Sequence, residues 1–320
     1  MKFTEQQIEK MASPISQTEE EKCKNAIRMV RDALKQLDYT DDNKDISYEV
    51  TDTFSFTLEM HKRNSDVRIK LLVQGSYANK TNIRSESDVD IAVILESTFH
   101  PNYRSGVSGN NYGFSEATFT VASLKDDVEK ALKQYYGYSG VERHDKSIKI
   151  IGNTYRVDAD VVPAYRYRDY VNDYSFDENN YVGGIMIKPD SGGSIINYPE
   201  QHIRNGIEKN KCTTYRFKKL VRVIKSMREE LKSAGYSVPS EISSFGLESL
   251  LWNVSDSAFN KYSSLRFCFD EILEWLIGNI YIFSSFKEAN GIKPLFTSSV
   301  MISAYQQFVR DLRRFYEYAA

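Results

Sequence analysis

Two short runs decide the fold: Val73-Gln74-Gly75-Ser76-Tyr77 and, a little further on, Asp88-Val89-Asp90-Ile91-Ala92-Val93-Ile94. Residues 68–74 are a strand candidate that breaks at Gly75. A residue without Cβ lets backbone N–H groups and the Ser76 hydroxyl approach an anion, so a phosphate fits there. Residues 89–95 are β-branched and apolar enough for a buried strand with two carboxylates at its start. Because side chains alternate along a strand, Asp88 and Asp90 share one face while Val89 turns into the core. Two neighbouring acids repel unless a cation lies between them. Mg²⁺, which takes one or two carboxylates plus phosphate oxygens, is the economical choice.

A third acid comes from Tyr155-Arg156-Val157-Asp158-Ala159-Asp160-Val161-Val162-Pro163-Ala164, again a strand pattern, with Asp158 and Asp160 on one face. A carboxylate pair plus a third can hold two metal ions that clamp the attacking and leaving oxygens of a phosphoryl displacement. Alone, a Gly-Ser is an ordinary turn and an Asp-x-Asp an ordinary solvated strand end. In this order and spacing the set points to nucleotidyl transfer.

Gly75-Ser76-Tyr77, Thr81, Ser87-Asp88-Val89-Asp90 and Asp160-Val161-Val162-Pro163-Ala164 resemble the nucleotidyltransferase superfamily of oligoadenylate synthase and cyclic GMP-AMP synthase. The closest resemblance is to the bacterial CD-NTases of CBASS anti-phage systems, over about residues 18–318. It implies an α+β, bilobed, polymerase-beta-like fold: an N-terminal mixed-sheet lobe braced by a long helix, and a C-terminal helical lobe. The Val-Val-Pro-Ala after Asp160 favours it over Asp158 as third ligand, as in the family.

The 320 residues are long enough for two lobes. With 42 basic and 44 acidic residues and a net charge of −2, no global field favours polyanions, and no nucleic-acid activator is expected. Cys23, Cys212 and Cys268 lie far apart without a Cys-x-x-Cys pair, against a structural zinc or a disulfide framework. No apolar run approaches a bilayer span and the N-terminus lacks a signal-peptide centre, so a cytoplasmic protein with no membrane association is expected.

In chain order, residues 18–37 read as an amphipathic helix with Ile27, Val30, Leu34 and Leu37 on one face, the candidate brace. Residues 38–49 read as a loop, 78–84 as a short helix or turn, 100–114 as an exposed loop and 119–136 as a second helix. Residues 147–151 and 154–162 form an expected hairpin across Gly152-Asn153, and 181–187 with 194–198 another. From Pro199 the pattern turns helical, placing the lobes at 1–198 and 199–320. Residues 213–233 form the helix of most interest, with Phe217, Leu220, Val221, Ile224 and Leu231 as its buried stripe. Ten Lys or Arg against three Glu between Arg204 and Lys232 are consistent with a solvated basic face. Helices over 265–283 and 300–318 close the lobe.

The resemblance implies roles in this lobe. Arg222 and Lys225 match a basic-x-x-Lys that binds the triphosphate, where Lys is suitable as a point charge. In Ser243-Ser244-Phe245, Ser244 meets the triphosphate and Phe245 stacks on the base; otherwise Ser243 is an N-cap and Phe245 a core residue. The expected reaction is metal-dependent joining of nucleoside triphosphates into a cyclic di- or trinucleotide, with pyrophosphate released. Asp88, Asp90 and Asp160 would hold two Mg²⁺ or Mn²⁺ ions, and Gly75 and Ser76 would grip donor phosphates. A cyclic-nucleotide-activated effector and CBASS accessory proteins would be partners, and the Ala319-Ala320 ending is compatible with conjugation. Two rival readings are a transferase acting on an RNA, protein or small-molecule acceptor, and an inactive nucleotide sensor. The near-neutral charge weighs against RNA, and the intact acids against the sensor.

Overall fold

The computed structural model describes residues 2–41, 52–83, 88–117 and 123–317. Arg84, Ser87, the first residues of the helix expected over 119–136, most of the loop expected over 38–49 and Ala319-Ala320 lie outside the described residues. Numbered along the chain, the helices are α1 (Glu5–Ala12), α2 (Gln17–Leu34), α3 (Gly75–Ala78), α4 (Leu124–Tyr136), α5 (Pro199–Cys212), α6 (Phe217–Ser233), α7 (Ser244–Trp252), α8 (Asp256–Asn260), α9 (Leu265–Gly278) and α10 (Ser299–Glu317). The strands are β1 (Tyr39–Thr40), β2 (Thr57–Lys62), β3 (Arg68–Gln74), β4 (Val89–Asn102), β5 (Val141–Arg143), β6 (Ile148–Ile150), β7 (Ala159–Asp169), β8 (Val182–Ile187) and β9 (Ile195–Asn197).

The chain forms two compact units. The sheet unit is Gln17–Tyr77 with Ser87–Pro199, and the helical unit is Met1–Ser16, Ala78–Glu86 and Glu200–Ala320. In the sheet unit the strands run β1-β2-β3-β4-β7-β6-β5, with β8 also on β7 and β9 on β8. β4 and β7 are parallel and every other named pair is antiparallel. These two central strands are apolar on both faces, as a doubly covered position demands: Val89, Ile91, Ala92, Val93, Ile94 and Leu95 are all buried. α2 buries Cys23, Ala26, Ile27, Val30, Ala33 and Leu34, and its last expected residues, Lys35–Leu37, tighten into a 3₁₀ turn. Among the boundaries that differ, the short helix is Gly75–Ala78, α6 starts at Phe217, α9 ends at Gly278, and two strand limits shift. β4 continues past Leu95 through a register shift to Asn102, so the loop expected from residue 100 starts later. The hairpin across Gly152-Asn153 is present, but β7 starts at Ala159, not 154. The preceding turn is closed by Asn153 Oδ1, which accepts from the Tyr155 and Arg156 N–H groups.

In the helical unit α6 is buried nearly all round, its cations Lys218, Arg222, Lys225 and Arg228 included. Phe217, Leu220, Val221, Val223, Ile224, Met227 and Leu231 are each fully buried, which makes α6 the core helix. The division at 198/199 differs from the observed one because the first residues are apolar partners of this core. Phe3, Ile8 and Ala12 pack into it, and Glu5 caps α9, accepting from the Leu265 (2.8 Å) and Arg266 (3.1 Å) N–H groups. Ala78–Glu86 belongs there too, its carbonyls taken by α6, as described below. Among the described residues no helix is long and apolar enough to cross a membrane.

Candidate active site

In the sheet unit the site is built where β3 ends. Antiparallel pairing sets Gln74 opposite Asp90, and the chain turns at Gly75 with φ +73°. A Cβ on Gly75 would lie 2.0 Å from Asp90 Oδ2, so backbone and carboxylate meet at a distance only glycine permits. Ser76 follows in the short helix α3.

Parallel pairing of β4 and β7 sets Val89 opposite Ala159 and Asp90 opposite Asp160. Paired residues project to the same side of a sheet, so these carboxylates stand as neighbours on strands about 4.8 Å apart. Asp160 Oδ1 accepts from Ser147 Oγ at 3.1 Å. Asp88 retains 51% of its side-chain exposure just before the strand. The cation that the acids require is partly supplied by the chain itself: Lys149, opposite Asp160 on β6, reaches Asp158 at 2.7 Å and Asp88 at 3.8 Å. The Asp158 contact raises the Lys149 pKa. Partial burial opposes ionisation of Asp158, but Lys149 and the Gly152 N–H (2.6 Å to Oδ1) outweigh it and hold the carboxyl low. Asp158 is therefore engaged in closing the β6–β7 turn, and Asp160 is the acid in register with Asp90.

Among the described residues no group of three or more His, Cys, Asp and Glu side chains is drawn together as a metal-binding cluster. Asp90 and Asp160, in register on adjacent strands, and Asp88, two residues before Asp90, are hard oxygen donors, and Asp90 lies against a glycine cradle. That chemistry fits Mg²⁺ or Mn²⁺, ions that keep waters and take substrate oxygens rather than demanding a protein cage.

The helical unit gathers its expected residues differently. Lys218, Arg222, Lys225 and Arg228 are all buried, so the solvated basic face expected of α6 is absent over these four; Lys219 and Lys232 remain exposed. Buried cations must be paired. Arg222 donates from Nε to Ala12 O at 2.7 Å and from Nη1 to Lys80 O. Lys225, with no exposed surface, donates to Thr81 O at 3.0 Å and lies 3.8 Å from Glu248 Oε2. Both cations thus secure the segment that follows Gly75-Ser76 in sequence. Ser243 caps α7 by accepting from the Gly246 N–H at 3.0 Å, and Ser244 opens the helix. Phe245 is not a core residue: 42% of it is exposed.

Sequence reasoning missed Glu248 and His202. Glu248, 1% exposed, accepts from Thr81 Oγ1 at 2.6 Å and meets His202 Nε2 at 2.9 Å. Burial alone would raise its pKa, but His202, Lys225 and Thr81 together bring it down to about 2. A lone acid among Leu247, Leu250 and Leu251 was a visible signal; nothing marks His202 in the sequence.

A family model described as the cGAS/DncV-like nucleotidyltransferase C-terminal helical domain matches residues 204–317. Over 319 residues the chain is 43% identical to the cyclic GMP-AMP synthase CdnE03 of Staphylococcus schleiferi, covering 100% of this chain and 98% of that one. It is 39% identical over 300 residues to the cyclic dipyrimidine nucleotide synthase CdnE of Legionella pneumophila, with 93% and 92% covered. A solved structure of the Rhodothermus marinus CdnE c-UMP-AMP synthase with Apcpp and Upnpp is similar at TM-score 0.77 and 28% identity, over 99% of each chain. The chain belongs to the CD-NTases, the cGAS/DncV-like nucleotidyltransferases, a generally metal-dependent class of cyclic nucleotide synthases. The bilobed α+β architecture expected from the sequence is that of this family.

Proposed function

We propose that the chain joins nucleoside triphosphates into a cyclic di- or trinucleotide messenger, with Asp88, Asp90 and Asp160 as the catalytic and metal-binding acids. The observation that carries this is the register of Asp90 with Asp160 beside the Gly75 turn. The 3′- or 2′-hydroxyl oxygen of one nucleotide bonds to the α-phosphorus of another. The bond to pyrophosphate breaks, the hydroxyl proton leaves, and a further round closes the ring. Two divalent ions, Mg²⁺ or Mn²⁺, would lower the acceptor hydroxyl pKa and offset charge on the leaving group. Asp88, Asp90 and Asp160 would be the residues that hold them.

Gly75 and Ser76 receive donor phosphate oxygens through the turn backbone and hydroxyl. In the helical unit, Ser244 and Phe245 are assigned to the triphosphate and base. Arg222 and Lys225, buried on the carbonyls of Ala12, Lys80 and Thr81, fix Lys80–Thr81 and are assigned to the triphosphate as charge acting at a distance, not as direct ligands. The exposure of Phe245 supports the stacking role. Nucleoside triphosphates place the reaction in the cytoplasm. By family, the product acts on a separate effector in anti-phage defence with CBASS accessory proteins.

Relatives 39–43% identical to this chain are named for different base combinations. ATP with GTP is the first combination to test. Incubation with these, then with all four triphosphates, and Mg²⁺ or Mn²⁺ should give a phosphatase-resistant product of cyclic mass. Label appearing only in a macromolecule or a linear chain would refute the proposal.

A further inference from the structure

We propose that His202 is a positioning residue for nucleotide binding: anchored by Glu248, with Asn79 packed against the ring, its imidazole sets the plane in which the Phe245 ring meets a base. This rests on the reading of Phe245 as the stacking ring.

Phe245 stands in the first turn of α7 with 42% of its surface exposed, and the ring torsion of a phenylalanine is broad, so a neighbour has to define its plane. Stacking needs one plane, and freezing the ring on binding would cost entropy. The ring it meets is His202, centroids 5.3 Å apart and planes at 88°, the edge-to-face arrangement that aromatic pairs favour. His202 is only 6% exposed and cannot tumble. Its Nε2 is 2.9 Å from Glu248 Oε1, and Asn79 Nδ2 is 3.2 Å from Nε2 and 3.5 Å from Nδ1.

The anchor is itself fixed. Glu248 Oε2 takes the Thr81 hydroxyl at 2.6 Å, with Lys225 Nζ at 3.8 Å. Glu248 follows Phe245 by three residues, so one helix turn carries both the stacking ring and the carboxylate that orients the ring's neighbour. Burying a carboxylate is costly, and an apolar side chain would pack beside Leu247, Leu250 and Leu251 without that cost. What the carboxylate adds is direction: through His202 it orients Phe245, and through Thr81 and Lys225 it holds the segment after Gly75-Ser76.

The test compares His202→Gln, which keeps an amide donor toward Glu248 and removes the ring, with His202→Phe, which keeps a ring edge and loses the bond. KM, kcat and thermal midpoint are measured for both, for Phe245→Ala and for the His202→Gln/Phe245→Ala double variant. His202→Gln should raise nucleotide KM about fivefold, part of a base-stacking contribution, and leave kcat within about twofold. His202→Phe should raise KM less despite a lower thermal midpoint. The double variant should bind no worse than Phe245→Ala, because His202 acts through that ring. Additive losses in the double variant, an unchanged KM in His202→Gln, or a loss that follows thermal stability alone would overturn the inference. A Phe245→Ala variant with normal KM would instead overturn the stacking reading beneath it.

Discussion

In the sheet unit the charged groups of the candidate site lie open: Asp88 keeps half of its side-chain exposure, and Asp90 and Asp160 are only partly covered. In the helical unit Arg222, Lys225 and Glu248 are 5%, 0% and 1% exposed, with their donors and acceptors engaged on backbone, hydroxyl and imidazole. Partly exposed carboxylates can take ions and substrate, because only water and weak contacts such as Lys149 at 3.8 Å from Asp88 and the Ser147 hydroxyl on Asp160 have to give way. Buried, paired charges cannot be exchanged cheaply, and their value lies in fixing geometry. Removing the first kind should stop chemistry and spare the fold, whereas removing the second should cost stability before chemistry.

The largest effect is expected from Asp88→Asn with Asp90→Asn. Turnover of labelled triphosphate should fall at least about 10³-fold with the thermal midpoint nearly unchanged, since the class is built on metal chemistry. Undiminished pyrophosphate release would remove the distinction between the regions. Next is Gly75→Ala, where a methyl would collide with Asp90 Oδ2 at a positive φ. Activity should drop on the order of a hundredfold, with a stability loss of about 1–2 kcal/mol in denaturant titration.

Glu248→Ala should do the reverse. Leaving Lys225 and His202 buried without their carboxylate should cost about 3–5 kcal/mol of stability, read from the same titration. The pH dependence follows from the carboxyl, held at about 2 against an ordinary 4.5. A depressed acid contributes stability in full above its unfolded value, and that contribution is lost as pH falls from 4.5 toward 2. Glu248→Gln should therefore flatten the stability profile in that window. An equally steep profile would show that the network does not carry the charge.

The smallest contrast is Asp160→Asn against Asp158→Asn. The first should lose activity, and the second mainly the Gly152 and Lys149 contacts and some stability. The opposite pattern would exchange their roles.

The sheet half of the site was legible because its signals are local. A strand, a glycine break and two acids at period two fix which side chains share a face. The second strand offered Asp158 and Asp160 alike, the family resemblance chose Asp160, and strand pairing puts that residue in register with Asp90. The strand ends were less legible, because the continuation of β4 past Leu95 and the late start of β7 depend on neighbours distant in sequence. The helical unit hid more. The basic residues of α6 look like a solvated face until other segments are seen to cover that side of the helix. Their partners, Ala12, Lys80, Thr81 and Glu248, come from three other segments. No spacing rule reports such long-range pairing, and α1 joined the helices for the same reason.

The central claim, that Asp90 and its neighbour Asp160 hold divalent ions in the working enzyme, is tested most directly by Mn²⁺ binding. Mn²⁺ would be titrated with a nonhydrolysable triphosphate analogue present and followed by electron paramagnetic resonance. The unaltered chain should bind Mn²⁺ under these conditions, and Asp90→Asn should lose that binding while keeping its thermal midpoint. Equal Mn²⁺ binding by the two proteins would contradict the account.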